Sequence, residues 1–147
     1  MADQIQIVNQ PSVKDIDRDN EFLFKFTSVF PLDLFPDEVI VDKLKITIVK
    51  RDFFFSKRII TFPMTGTIQV QLFRGPITSK VHIDDTSTIH QDPIPIKNVW
   101  LNDALLFHDL VQGMVIGIKQ GVNLMSMSRK EILDNAERWG AVNVRAA

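Results

Sequence analysis

Lys50, Arg51, Phe53, Phe54, Phe55, Lys57 and Arg58 form two basic pairs around three consecutive phenylalanines, with Asp52 and Ser56 between them. Such a run is suited to interfacial chemistry. At a hairpin tip the rings would enter a bilayer interface while the four cations meet anionic headgroups, each worth about 1 kcal/mol near such a surface. The same tip could instead anchor in a partner protein, as buried aromatics do at binding hot spots. Against both stands the ordinary fate of aromatics in strands, which is to form core. On that reading, which the residue types favour, Phe53 and Phe55 point into the fold and Phe54 packs on a leader strand. The four charges then sit at strand edges, where they discourage pairing with other chains.

Other residue types that carry chemistry do not assemble into a site. The histidines are His82, His90 and His108. His108 sits beside Asp109, but adjacent helical residues are expected to point to different sides. A zinc site needs three or four convergent ligands, so no metal is expected. Ser79 and His82 would face opposite sides of a strand, which leaves a nucleophile without its base. Gly75-Pro76 is a plain turn and no glycine-rich phosphate loop is present. Asp84, Asp85 and Asp92 lack the spacing of a calcium loop and read as solvated turns. No enzyme activity and no cofactor are expected.

Composition narrows the class further. A single domain of 147 residues buries roughly 70% of its unfolded surface and needs no staple. The chain has no cysteine, which rules out disulfides and fits a reducing compartment, though it is also permitted outside one; a cytoplasmic location is expected. A net charge of −1 argues against non-specific nucleic-acid binding, which needs a broad excess of Lys and Arg. The N-terminus has neither the basic start nor the apolar run of a signal peptide. Trp100 to Ile118 is apolar, yet Asn102, Asp103, His108, Asp109 and Gln112 make it too polar for a membrane span.

The elements that must position these residues follow from hydrophobic period. Residues 1–20 are polar and read as a leader. Phe22, Phe24 and Phe26 alternate with Leu23 and Lys25, giving a strand with an aromatic face. Leu44, Ile46 and Ile48 alternate with Lys45 and Thr47, and Ile68, Val70 and Leu72 alternate with Gln69 and Gln71. Ile59–Phe62 and Lys80–Ile83 add further short strands. This two-residue period is that of half-buried antiparallel sheet. A helix capped by Asn102 or Asp103 follows, with Trp100, Ala104, Phe107, Val111, Met114 and Ile118 on one stripe and Gly121 as its end. Gly113 and Gly117 form a GxxxG that would let this helix lie close to a strand or a second helix. Ser128 and Glu131 form a capping box, which predicts a short helix from Arg129 to about Trp139 ending at Gly140, with Ile132, Ala136 and Trp139 inward.

Strands followed by one long amphipathic helix resemble a pleckstrin-homology-like domain, and the bacterial versions more than the eukaryotic ones. The wording that carries this is Leu34-Phe35-Pro36-Asp37-Glu38-Val39-Ile40-Val41-Asp42, then Lys45 to Arg51, Phe53 to Ser56 and Arg58 to Pro63, within residues 34 to 118. The resemblance implies a bent barrel of about seven strands plugged by the helix, in a superfamily of binding and scaffolding modules. Two departures stand out. Trp100 lies at the entrance of the helix, whereas eukaryotic members carry a tryptophan within it. The turn before the first hairpin is acidic, with Asp33, Asp37, Glu38 and Asp42, so phosphoinositide reading does not carry over.

The sequence therefore predicts a mainly β (α+β) fold, a bent antiparallel barrel or sandwich of about seven strands closed by a C-terminal amphipathic helix, plus a short extra helix. Its parts would be a leader (1–20), a β domain with its closing helix (21–121) and a short helix with tail (122–147). The expected function is a non-enzymatic binding or scaffolding module for a protein or peptide, a second copy of the chain included. The alternative is a peripheral binder of anionic lipid membranes. Lys50, Arg51, Phe53, Phe54, Phe55, Lys57 and Arg58 are the expected contact residues for either partner.

Overall fold

The computed structural model describes residues 22–53, 55–89 and 91–145. The expected leader, Phe54, His90 and the last two residues lie outside them. The described chain is mainly β. Strands β1 (Phe24–Thr27), β2 (Glu38–Val41), β3 (Lys45–Phe53) and β4 (Ser56–Pro63) form one antiparallel sheet in chain order. Strands β5 (Ile68–Arg74), β6 (Thr78–Asp85) and β7 (Ile94–Trp100) form a second antiparallel sheet. Among the described residues no ladder joins the two sheets, so the strands form a two-sheet arrangement rather than a closed barrel.

The two-residue period does what it should. Ile46 and Ile48 are fully buried while Thr47 between them is not. Val81 and Ile83 are buried, and Lys80 and His82 alternate outward. The first strand begins at Phe24 and not at Phe22. Leu23 and Phe26 are buried there, Phe24 is half-buried and Phe22 is exposed. Inward residues of both sheets meet Phe107, Val111 and Met114 in one apolar cluster. Each large side chain so buried contributes roughly 1.5–3 kcal/mol.

Helix α1 (Leu101–Lys119) leaves β7 with Trp100 at its N-cap and no side-chain cap. Asn102 and Asp103 therefore lie inside the first turn, two and three positions past the capping residue. Asp103 still favours that turn, where the helix dipole is positive. The C-terminal end is a Schellman motif. Gly121 takes φ +81°, its amide donates to the Ile118 carbonyl, and the Val122 amide donates to the Gly117 carbonyl at 2.9 Å.

A 3₁₀ turn (Leu124–Ser126) leads to helix α2 (Arg129–Arg145). Its capping box is formed as expected. The Ser128 amide donates to Glu131 Oε2 at 2.7 Å, and the Glu131 amide donates back to Ser128 Oγ at 3.2 Å. These bonds hold the Glu131 carboxyl below its ordinary range. The helix does not stop at Gly140 but continues to Arg145. A glycine inside a helix costs about 1 kcal/mol and ends it only when the backbone turns left-handed.

Helix α2 packs on α1 through the GxxxG. A Cβ on Gly113 would lie 2.6 Å from Ala136 Cα, and one on Gly117 would lie 2.9 Å from the Trp139 ring. Ile132 and Ala136 are fully buried in the common core. Two long side chains tie the start of α2 to the first sheet. Lys43 Nζ donates to the Met127 carbonyl at 2.7 Å and Arg129 Nε to the Phe22 carbonyl at 3.1 Å.

Candidate functional site

The β3–β4 hairpin places the basic-aromatic run. Its register sets Lys50 opposite Arg58, Arg51 opposite Lys57 and Phe53 opposite Ser56, with an irregularity at Asp52. The last rung between β2 and β3 is Glu38 with Val49. Beyond that rung the hairpin continues as a two-stranded arm. The residues past Val49 thus have no β2 partner along that edge. This overturns the expectation that Phe53 and Phe55 point inward. Phe53 is 69% exposed and Phe55 is fully exposed at the tip. Phe54 falls outside the described residues.

The four cations divide into two kinds. Lys50 is a brace. Its ammonium lies 2.8 Å from Asp37 Oδ2 and also donates to the Pro95 carbonyl of β7, so it joins the first sheet to the second. Asp37 is itself buried and takes the Arg51 amide on its other oxygen at 3.1 Å. The Arg51 guanidinium lies 3.9 Å from Glu38, which Lys25 holds at 2.9 Å. Lys57 and Arg58 are exposed, and among the described residues neither enters an ion pair.

A loop supports the arm from one side. Ser28 Oγ donates to Asp33 at 2.7 Å and accepts the Asp37 amide at 2.8 Å. The Asp33 carboxylate then accepts the Phe35 amide. The Phe35 ring stacks on Phe53, with centroids 5.7 Å apart and planes 18° from parallel. On the far side the loop is gripped by Asn98, which has φ 55° at a register irregularity between β6 and β7. Asparagine tolerates that left-handed geometry better than most residues. Its carbonyl accepts the Val29 amide at 2.8 Å and its side chain donates to the Leu32 carbonyl at 3.3 Å. Leu32 and Leu34, in the same loop, are exposed. Beside it lies an open cleft of about 390 Å³ lined by Ser28, Phe30, Arg51, Trp100 and Asp103 among others.

The sequence reading missed Asp37, Leu32 and Leu34. The acidic turn looked like a departure from a basic site, yet Asp37 is the partner that Lys50 needs. Apolar residues interleaved with prolines between Val29 and Pro36 were the available signal for the loop.

Elsewhere, Ser79 is buried with its hydroxyl unpartnered, and His82 lies on the opposite face of β6. The His82 ring stands 4.8 Å from Phe73. Burial, helped by the Lys80 charge, lowers its pKa. His108 and Asp109 do not point apart as expected, since Nδ1 lies 3.1 Å from the Asp109 carboxylate. Asp85 accepts from Thr67 Oγ1 at 2.6 Å and from the amide and hydroxyl of Ser87. Those bonds hold its carboxyl below the ordinary aspartate range. Among the described residues no three His, Asp or Glu side chains converge as metal ligands, and no helix is long and apolar enough to cross a membrane.

No protein-family model, curated protein or solved structure matches the chain.

Proposed function

We propose that this chain is a pleckstrin-homology-like β domain that works as a non-enzymatic binding module, with its contact face at the end of the β3–β4 hairpin. Four antiparallel strands, then three, then a long helix support the family reading. One observation carries the function. Phe55 is fully exposed, next to a Phe53 stacked on Phe35, on an arm that the Asp37 network anchors at its base. Aromatic surface held outward on a braced element is the pattern of an interaction site, because it lowers solubility and adds nothing to the core.

A photo-crosslinking residue at position 55 tests this. Discrete adducts, to protein or to membrane lipid, are expected in membrane-containing extracts of the source cells, well above those formed from position 86 on a distant turn. Equal yields at the two positions would remove the hairpin as a contact face.

A further inference from the structure

We propose that the hairpin end docks on an anionic bilayer, with Phe55 and Phe53 entering the interface and Lys57 and Arg58 meeting headgroups. This rests on the binding-module reading and names its partner.

The ladder itself points to an anion. Arg51 lies directly opposite Lys57, and Lys50 opposite Arg58. Like charges paired across strands destabilise a hairpin. Asp37 relieves the second pair through Lys50, and Glu38 reaches Arg51 only at 3.9 Å. Lys57 and Arg58 remain exposed without a carboxylate among the described residues. An anionic surface supplies the missing charge. Within residues 50–59 the only acidic side chain is Asp52.

Shape selects a bilayer over a protein groove. The exposed rings stand on an arm that outruns β2, and the loop whose Phe35 stacks on Phe53 also exposes Leu32 and Leu34. An apolar tip that extends past its neighbouring strand and is flanked by cations is one that a soft, flat interface accepts without a matching pocket.

The test is flotation of the full chain with vesicles of phosphatidylcholine, alone or mixed with phosphatidylglycerol, at low and high salt. Binding to the mixed vesicles alone, weakened by salt, is expected. The double variant Lys57→Gln/Arg58→Gln should lower partitioning roughly thirtyfold, and Phe55→Ser at least about tenfold. Lys119→Gln/Lys130→Gln, which removes the same charge at the far end of α1 and the start of α2, should change it less than about twofold. Absence of salt-sensitive flotation, or flotation that the hairpin variants leave unchanged, overturns the lipid assignment. Crosslinking from position 55 then separates the two readings. Protein adducts there keep the binding module and replace its partner, and no adducts remove both.

Discussion

Lys50 Nζ and Asp37 Oδ2 lie 2.8 Å apart at the junction of the two sheets, both largely shielded from water. Removing one member of such a pair strands the other charge. Asp37 also anchors the Arg51 amide, so its loss breaks two contacts. Asp37→Ala should lower unfolding stability by about 3 kcal/mol. Glu38→Ala, whose cationic partners Lys25 and Arg51 are exposed, should cost no more than about 1 kcal/mol. Urea titration of both variants checks this, and equal losses would contradict the brace.

Gly113 and Ala136 leave no room for a methyl group between them. Gly113→Ala gains about 1 kcal/mol of helix propensity but forces backbone against backbone. Overpacking should win, with a net loss of about 2 kcal/mol. Gly66→Ala meets the flexible stem of Lys119 at 3.3 Å, with Ile118 at an ordinary 3.9 Å, and should be far milder. The ranking of thermal midpoints decides it.

Phe55→Ser should change stability by less than about 0.5 kcal/mol, because the ring is already in water. Phe53→Ser should cost about 1 kcal/mol through the lost stack on Phe35. Phe62→Ala, in the core, should cost about 3 kcal/mol or more. A large loss at position 55 would return that ring to the interior.

The Asp85 carboxyl is held below its ordinary range by Thr67 and Ser87. A depressed folded pKa stabilises above the unfolded value, and the benefit disappears as pH falls through the folded one. Thr67→Val should therefore raise the Asp85 midpoint in an NMR titration. It should also flatten the acid side of the stability profile in the window between the two values. An unmoved midpoint would assign the shift to another group.

Local signals read from the sequence held where local physics governs. The alternation of Ile46 and Ile48 with Thr47 gave a strand, Ser128 with Glu131 gave a helix start, and Gly121 gave a stop. The GxxxG proved to be a helix–helix contact, one of the two roles its spacing allows. What escaped depends on partners distant in the chain. Phe53 and Phe55 carry strand-core residue types, and only their placement in the fold reveals that no layer covers them. Lys50 looks like its basic neighbours until Asp37, thirteen positions earlier, is placed beside it. Gly140 reads as a terminator because sequence does not state its backbone angles.

The close seat of Ala136 on Gly113 has a practical side. A chain trimmed behind Gly121 would lose Ile132 and Ala136 from the interior and lay bare the furrow that the two glycines open along α1. Such a fragment would clump when expressed, so the smallest usable piece must extend at least through Trp139.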